Sequence, residues 1–285
     1  MLVQLIGVLR KASEEKYCVG AFGVYSLETA LALRDAAVEM NSPAIAMFGD
    51  SYFKETPIES IAAIMRQVAG ESDAPIVLHL DHGQSISSVM RAIRSGFTSV
   101  MYDGSRLPFK ENIERTRMMV KMAHAVGVSV EGSVGEVASL GEEGNGRTDP
   151  EQAEVFTSQT GIDALAVSVG NIHGVPIRGS IANLDFERLA EINRRCKVPL
   201  VFHGGSGISE DALKTAISLG LCKLNVVTCI GIAMARRMRQ ELSELDDKEA
   251  RLDRLMPAVK SEMANLVKHY MRVLGSEGRT LPLPG

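Results

Sequence analysis

The segment Ile76-Val-Leu-His-Leu-Asp-His-Gly83 is an apolar run that ends in polar residues and a glycine. Runs that are apolar almost throughout are typical of strands covered on both faces. Seven further runs of this kind occur at intervals along the chain. The eight predicted strands are Cys18–Phe22, Ala44–Phe48, Ile76–Leu80, Ser99–Tyr102, Ser129–Val134, Ala164–Val169, Pro199–Phe202 and Cys222–Val227.

Segments with helical periodicity separate these runs. They include Leu27–Met40, Ile58–Ala69, Ile86–Arg94, Asn112–Ala125, Glu151–Gln159, Asp185–Asn193 and Asp211–Leu219. Parallel neighbours need such crossovers, so the repeated units predict a parallel sheet. Eight units close naturally into a (β/α)8 barrel, whereas a doubly wound open sheet would leave edge strands, which are usually more polar. We therefore predict an α/β fold with one barrel domain over residues 1–285.

Two helices are expected outside the eight units. Apolar residues at Leu2, Leu5, Ile6 and Leu9 form a helical stripe before the first strand. A second, longer stripe runs through residues of about 246–274 and ends before a glycine, which is a common end of a helix. This C-terminal helix is expected either to cover the base of the barrel or to form an oligomer contact.

The composition narrows the classes of partner. The chain has 285 residues, 45% of them hydrophobic, and a net charge of −4, so no basic footprint for nucleic acid or an acidic membrane surface is expected. No apolar run approaches the about 18 residues of a membrane span, and no secretory signal is recognisable. The four scattered cysteines suggest neither a disulfide framework nor a zinc knuckle. A cytoplasmic protein without nucleic-acid or membrane partners is expected.

Three of the six histidines follow predicted strands, and each precedes a glycine. They are His82, His173 and His203. Reactive groups of such barrels lie at the carboxyl ends of the strands, so the three imidazoles should meet at one rim. Three histidines with an open fourth position make a catalytic zinc site. The alternative, three unrelated polar residues near the rim, explains one histidine better than it explains three.

Asp81 precedes a proposed ligand directly, so its carboxylate should reach the space beside the metal. It is a candidate second ligand, a structural hydrogen-bond acceptor or a general base. Its position at a strand end favours the general base. His79, two residues earlier, should share its face and is expected to be packed in the interior.

A glycine-rich segment after strand seven and a polar segment after strand eight suggest an anion site. Gly204, Gly205 and Gly207 allow backbone N–H groups to approach an anion, and Ser206 and Thr228 add hydroxyl donors. Phosphate sites formed by the loops after strands seven and eight recur in this architecture. Tight turns also need glycine, so the glycines alone do not indicate an anion site. Their location beside a proposed metal ligand is what favours one.

These motifs together resemble the class II, zinc-dependent fructose- and tagatose-bisphosphate aldolase family, from about residue 17 to residue 228. The matching motifs are His79-Leu-Asp-His-Gly83, Asp103-Gly-Ser105, Gly170-Asn-Ile-His-Gly174, His203-Gly-Gly-Ser-Gly207 and Asn225-Val-Val-Thr228. The resemblance implies reversible cleavage of a phosphorylated ketose into dihydroxyacetone phosphate and an aldehyde, through an enediolate that zinc stabilises. It also implies a homodimer or homotetramer.

The resemblance carries over to single positions. His82, His173 and His203 correspond to the ligands of one zinc ion per subunit, and Asp81 corresponds to the residue that exchanges a proton with the substrate C4 hydroxyl. The family often holds a sodium ion near His173, so Na⁺ or another monovalent cation is a further candidate. The family's cradle for dihydroxyacetone phosphate corresponds to Gly174, Gly204, Gly205, Ser206, Asn225, Val226, Val227 and Thr228.

A loop acid and several departures from the family pattern are also visible. Glu142 or Glu143 matches the mobile-loop acid that protonates the enediolate, although a solvated acidic loop explains both equally well. The family commonly has A-F-N-x-N-N after strand one, and here Gly23 and Tyr25 replace two of the amides. Ser133 stands where a carboxylate is usual.

A third departure follows His173, where H-G-x-Y-K becomes His173-Gly-Val-Pro-Ile177. The next residue, Arg178, either pairs with a carboxylate or second phosphate of the substrate or faces solvent. Fructose or tagatose bisphosphate is the family default, and these changes leave the aldehyde half of the substrate open.

Three other interpretations are weighed against this one. A Schiff-base aldolase needs a lysine in the site, and Lys223 is expected at the entering end of strand eight, on the wrong face. A zinc-dependent hydrolase would use a metal-bound water beside Asp81. A non-catalytic sugar-phosphate-binding paralogue is suggested by the altered residues on strands one and five, and is opposed by the three histidines with Asp81.

Overall fold

The computed structural model describes residues 1–137, 146–174, 183–246 and 249–280. Within these ranges eight parallel strands close into a barrel in chain order. They are β1 (Val19–Gly23), β2 (Ala44–Gly49), β3 (Ile76–Gly83), β4 (Ser99–Tyr102), β5 (Ser129–Val134), β6 (Ala164–Val167), β7 (Leu200–Phe202) and β8 (Leu221–Val226). The predicted (β/α)8 barrel is confirmed, and every strand end lies within three residues of its predicted position.

The helices of the described ranges alternate with the strands, apart from one at each end of the chain. They are α1 (Leu5–Glu15), α2 (Leu27–Glu39), α3 (Ile58–Gly70), α4 (Ile86–Arg94), α5 (Phe109–His124), α6 (Pro150–Thr160), α7 (Phe186–Arg195), α8 (Glu210–Ser218), α9 (Thr228–Glu244) and α10 (Leu252–Val273). None of these helices is both long and apolar enough to cross a bilayer.

Several crossover helices begin at a residue whose side chain accepts from the first free backbone N–H groups. The Ser26 hydroxyl accepts from the N–H of Thr29, and the Thr29 hydroxyl accepts from the N–H of Ser26. Ser85, Asp149 and Ser209 cap α4, α6 and α8. Such a cap contributes about 1 kcal/mol. The caps fix where the helices begin and thus the length of the loops at the carboxyl rim.

Two apolar cores hold the barrel together. The outer core lies between the strands and the surrounding helices and contains Phe22, Phe48 and Phe202. The inner core fills the lower part of the barrel, and the buried face of α1, with Leu5 and Leu9, belongs to it. The N-terminal helix therefore closes the base of the barrel.

The C-terminal helix α10 is confirmed as a helix, but its expected place over the base is wrong. It packs against α2 and α9 on the outside of the barrel, through a face that includes Val259, Met263 and Val267. Its amphipathic stripe indicates burial but does not specify the surface it covers. The role of α10 as an oligomer contact stays a prediction.

Polar residues replace the inner apolar core toward the carboxyl ends of the strands. His79, Glu131, Lys223, Asn225 and His203 are all buried there. Buried polar and charged groups are costly unless they are paired, so their hydrogen-bond partners decide what this region can do.

Candidate active site

An irregularity in β3 brings the neighbours Asp81 and His82 to one cavity. Consecutive side chains of a regular strand point to opposite faces. The register of β3 against β4 shifts between Leu80 and Gly83, and His82 has a φ of 48°, in the left-handed region. Asp81 and His82 consequently line the same cavity. Such a conformation costs a non-glycine residue roughly 1–3 kcal/mol and is found most often at functional sites.

The three predicted histidine ligands converge. His173 lies in the loop after β6, and His203 directly follows β7. One nitrogen from each of the rings of His82, His173 and His203 lies within 4.8 Å of the other two. The ring centroids are 4.6–6.0 Å apart, in edge-to-face arrangements.

Two of the three rings are held by carboxylates on their far sides. The Nδ1 of His82 lies 2.6 Å from Asp103 Oδ2, and the Nε2 of His203 lies 2.9 Å from Glu131 Oε1. A carboxylate accepts, so each of these ring nitrogens carries the proton. The remaining nitrogens, His82 Nε2 and His203 Nδ1, then face each other with lone pairs at 2.9 Å.

This arrangement fits a cation between the rings. Two facing lone pairs repel each other unless a proton or a metal ion lies between them. Zinc binds neutral imidazole at about 2.0–2.1 Å, and its histidine ligands usually donate their other N–H to a carboxylate or carbonyl. His82 and His203 both satisfy that pattern, and the half-buried His173 completes a three-nitrogen set.

The ionisation of the cluster points the same way. Burial lowers the pKa of His82, but the charges of Asp81 and Asp103 outweigh it and raise the pKa to about 9. Burial and the neighbouring rings of His203 and His82 lower the pKa of His173 to about 4. Without a metal ion, the cluster thus holds a proton where the lone pairs meet. A bound metal cation replaces that proton.

Asp81 lies beside the histidines and is held as a carboxylate. Its Oδ1 is 3.9 Å from His203 Nδ1 and accepts from Asn225 Nδ2 at 3.1 Å. Burial would raise the pKa of Asp81, but the charges of His82 and the neighbouring cationic groups outweigh it and lower the pKa. A carboxylate that lines the cavity and stays ionised can accept a proton from a ligand there.

Two adjoining cavities open at this rim. The first, here called the β1–β2 cavity, is lined by Gly23, Tyr25, Met47, Gly49, Ser51, Tyr52, Asp81, His82, Gln84, His173, Val227 and Thr228. The second, the β4–β5 cavity, shares His82 and His173 and extends past Ser105, Arg106, Arg115, Ser133 and Glu136. The histidine cluster lies where the two meet.

The predicted phosphate-cradle residues divide into those at the cavity and those below it. Val227 and Thr228 line the β1–β2 cavity, and Thr228 is the first residue of α9. The Ser206 hydroxyl accepts from the N–H of Cys229, which joins the loop after β7 to the start of α9. Helix N-termini favour anions because their first N–H groups are free.

The other cradle residues have structural surroundings of their own. Val226 is fully buried in the outer core, and Asn225 points to Asp81. At Gly204 a Cβ would lie 2.0 Å from the carbonyl oxygen of Ile172, so glycine is required there for packing alone. Gly205 is buried, and Gly174 is the last described residue before the segment 175–182.

Lys223 corrects one prediction. It was expected at the entering end of strand eight, away from the site, but its side chain is fully buried inside the barrel, 2.8 Å from Glu131 Oε2 and 2.7 Å from Asn225 Oδ1. Sequence reasoning also missed Glu131 as a partner of His203. A lysine and a glutamate in two apolar strands were the available signal, since charges are buried almost only in pairs.

Four residues singled out from the sequence lie outside the described residues. These are Glu142 and Glu143, the candidate loop acids, and Ile177 and Arg178.

The Gly23 and Tyr25 departures are linked in space. A Cβ at Gly23 would lie 2.2 Å from the Tyr25 hydroxyl, so the phenol occupies the space that a side chain at 23 would take. The ring of Tyr25 packs edge-on against Tyr52 at 4.9 Å. Burial, followed by Tyr52, raises the pKa of Tyr25, so its hydroxyl keeps its proton and can donate. Ser133, the departure on strand five, donates to the carbonyl of Gly135 and lines the β4–β5 cavity.

Comparison with known proteins agrees with this geometry. The family model for class II fructose-bisphosphate aldolase matches residues 3–279. A fructose-bisphosphate aldolase of Thermus caldophilus is 35% identical over 306 aligned positions, which cover 98% of this chain and 100% of that protein.

Solved structures agree as well. The crystal structure of the YdjI aldolase of Escherichia coli K12 superposes with a TM-score of 0.88 and 31% identity, over 99% of this chain and 100% of that one. A fructose-bisphosphate aldolase structure from Campylobacter jejuni, at 22% identity and a TM-score of 0.83, covers 98% and 97% and supports the fold alone. The chain belongs to the class II fructose-bisphosphate aldolase family and is a carbon–carbon lyase of that class.

Proposed function

We propose that this protein is a zinc-dependent aldolase that reversibly cleaves a phosphorylated ketose between C3 and C4, giving dihydroxyacetone phosphate and an aldehyde. One observation carries the proposal. His82 Nε2 and His203 Nδ1 face each other at 2.9 Å with their other nitrogens committed to carboxylates, and the Asp81 carboxylate lies beside them. A simple binding protein needs neither a cation site nor an ionised base aimed into one cavity, and the match to the class II fructose-bisphosphate aldolase family favours an aldolase over a zinc-dependent hydrolase.

The residues that would hold zinc are His82, His173 and His203. Bound there, zinc would act as a Lewis acid on the ketone and stabilise the negative charge that develops when the carbon–carbon bond breaks. The protein's own contribution is orientation, since Asp103 and Glu131 fix which nitrogen of His82 and of His203 is free.

Asp81 would accept the proton of the substrate C4 hydroxyl as the bond to C3 breaks, and return it in the condensation direction. Its lowered pKa keeps it ionised at neutral pH. The amide of Asn225 donates to one carboxylate oxygen at 3.1 Å, which leaves the other oxygen available to the hydroxyl. Geometry and ionisation both suit a general base.

The phosphate of the ketose would lie at the start of α9. The Thr228 hydroxyl and the first-turn N–H groups other than that of Cys229 would supply donors, and the Ser206 hydroxyl, which accepts from the N–H of Cys229, lies next to this turn. Gly174, Gly204 and Gly205 would shape the loops around it. The buried side chain of Val226 would contribute by packing only.

The aldehyde half would extend into the β1–β2 cavity, where Gly23 and Tyr25 stand at positions that are amides in the family pattern. Fructose bisphosphate, the substrate named for the Thermus caldophilus relative, is the first ketose to test, followed by ketose 1-phosphates with other aldehyde halves. Proton return to dihydroxyacetone phosphate is assigned to Glu142 or Glu143. A monovalent cation near His173 and a homodimer or homotetramer remain further predictions.

The test combines metal content with turnover. Purified protein is assayed for cleavage of fructose bisphosphate, and for condensation of dihydroxyacetone phosphate with a panel of aldehydes, before and after a chelator and after zinc is restored. Activity that disappears with the chelator and returns with zinc supports the proposal. Aldol activity that is unchanged by the chelator, or hydrolysis of an ester without any aldol reaction, contradicts the proposal.

A substitution at Asp81 tests the proposed general base separately from the metal. Asp81→Asn keeps the shape and the contact with Asn225 but removes the proton acceptor, so turnover should fall by about 10²–10⁴-fold while zinc stays bound. Zinc stoichiometry by mass spectrometry is the control. Near-normal turnover by this variant contradicts the role of Asp81.

A further inference from the structure

Lys223 is a buried cation that the proposed reaction does not use. Its side chain is fully buried inside the barrel, and it lines neither the β1–β2 cavity nor the β4–β5 cavity among the described residues. Lysine is almost never fully buried unless it is paired, because removing an ammonium group from water is costly. Any role of Lys223 in the site must therefore act through its neighbours.

The first neighbour is Asn225. Lys223 Nζ lies 2.7 Å from Asn225 Oδ1, and an ammonium group can only donate. This contact forces the amide oxygen of Asn225 toward Lys223 and its NH₂ group toward Asp81 Oδ1, at 3.1 Å. The flipped amide would place two donors against each other and two acceptors against each other. Lys223 thus determines the orientation of the group that holds Asp81.

The second neighbour is Glu131. One of its oxygens accepts from Lys223 at 2.8 Å, and the other lies 2.9 Å from His203 Nε2. Because the carboxylate oxygen of Glu131 accepts, Nε2 of His203 carries the proton and Nδ1 is left free toward His82.

From these contacts we infer that Lys223 is a positioning residue, which orients both the proposed base Asp81, through Asn225, and the proposed metal ligand His203, through Glu131. The inference rests on the proposed function. One buried cation on β8 is the common anchor of both chains of hydrogen bonds. The Asn225 amide also lies 3.4 Å from both ring nitrogens of His203, so loss of Lys223 would disturb His203 through Asn225 as well as through Glu131.

The rival explanation is that Lys223 and Glu131 form an ion pair that only stabilises the barrel. The two explanations differ in what Lys223→Met does to a protein that still folds. Val19→Ala is the matched control, because Val19 is buried in the same inner core and pairs in register with Lys223 on the adjacent strand. It lowers stability without touching either chain of hydrogen bonds.

The measurements are zinc affinity by competition with a chromophoric chelator, kcat and KM for the ketose phosphate, and the melting temperature. In Lys223→Met, we expect the zinc Kd to rise about 10–100-fold, as for other residues that orient a ligand. We expect kcat to fall about 10²-fold with KM changed less than about threefold, since misplacement of a reacting group affects turnover more than binding. In Val19→Ala, the zinc Kd and kcat should stay near wild type, although the melting temperature falls by a comparable amount.

A double variant covers the case in which Lys223→Met does not fold. Lys223→Met with Glu131→Gln removes both buried charges, and neutral replacement of a buried pair is often tolerated. Zinc affinity is lowered in this variant under both explanations, because Glu131 also orients His203, so kcat at saturating zinc is the deciding measurement. A purely stabilising pair predicts a kcat near wild type once the fold is restored. A positioning role predicts that kcat stays low, because nothing then fixes the amide of Asn225.

The failures are separable. If wild-type protein shows no zinc-dependent aldol reaction, the proposed function fails, and the chelator competition still decides whether Lys223 orients the metal ligand. If Lys223→Met matches Val19→Ala in zinc Kd and in kcat, or if the double variant recovers kcat fully at saturating zinc, the inference about Lys223 is overturned.

Discussion

The two sides of the barrel rim are built on different interactions. On the side of His82 and His203, rings are held by charged hydrogen bonds to Asp103 and Glu131 that are partly or wholly buried. On the side of the β1–β2 cavity, the wall is formed by aromatic packing, with Tyr25 edge-on against its neighbour. Removal of one partner of a buried charged pair costs about 3–5 kcal/mol, whereas repacking a wall of this kind usually costs less.

This difference separates chemistry from selectivity. The histidine side can change little without leaving a charge or a lone pair unpaired. The wall of the β1–β2 cavity formed by Tyr25 and Tyr52, here called the tyrosine wall, can change its shape and its hydrogen-bond donors while the histidine side stays intact. The departures at Gly23 and Tyr25 lie on that second side, so we expect them to alter the aldehyde that is accepted and to leave the metal chemistry as it is. The following variants test this separation, in order of decreasing expected effect.

The largest effect is expected from His203→Ala. The variant removes a proposed ligand and also takes from the buried Glu131 its contact with His203, leaving Lys223 at 2.8 Å and His79 at 3.7 Å. Zinc binding and aldol turnover should both fall by more than about 10³-fold, beyond the about 10–100-fold typical of residues that only orient a ligand. Zinc stoichiometry and turnover are measured on the same preparation. A variant that retains full zinc content would remove His203 from the ligand set.

A smaller effect is expected from Asp103→Asn. The side-chain amide still contacts Nδ1 of His82, but it lacks the charge that fixes this nitrogen as the donor. The zinc Kd should rise about 10–100-fold. Ser105→Ala is the control, because the Ser105 hydroxyl donates to the other oxygen of Asp103 at 2.7 Å and should matter less. Equal zinc affinities for the two variants would show that the Asp103 charge does not orient His82.

The strand positions and the histidine cluster could be predicted from the sequence. Strand positions follow from short apolar runs, because both faces of each barrel strand are covered and the runs therefore stand out. The convergence of His82, His173 and His203 follows from their positions after strands whose carboxyl ends meet at one rim. These predictions needed only the strand order and the ends of the strands.

What escaped prediction depends on side-chain reach and on local register. Lys223 was expected at the entering end of strand eight, away from the site, but its long side chain extends inside the barrel to Glu131 and Asn225. The shared cavity of Asp81 and His82 depends on the register shift and the positive φ in β3, which alternation alone cannot give. The contact between Glu131 and His203 joins strands far apart in the chain, so no local pattern encodes it.

On the tyrosine wall, Gly23→Ala should change substrate binding without changing metal binding. The added Cβ would lie 2.2 Å from the Tyr25 hydroxyl, so the phenol must move into the β1–β2 cavity. We expect KM for the ketose phosphate to rise about tenfold, with zinc Kd unchanged. The double variant Gly23→Ala with Tyr25→Ala removes the clashing ring and should be less impaired than the sum of the single variants. Strict additivity would show that the two positions are not coupled.

The smallest effect is expected from Tyr25→Phe, which keeps the edge-on ring contact with Tyr52 but removes the hydroxyl and its hydrogen bond with the Tyr52 side chain. A phenol that donates to a substrate hydroxyl contributes about 0.5–1.5 kcal/mol, or about 2–10-fold in kcat/KM. The loss should appear with hydroxylated aldehydes in the condensation assay and be absent with an unsubstituted aldehyde of the same length. Because the variant leaves Asp81 and the histidines untouched, zinc affinity should not change. An equal loss with both aldehydes would mean that Tyr25 shapes the cavity and does not recognise a hydroxyl, so that the selectivity of the tyrosine wall would rest on packing alone.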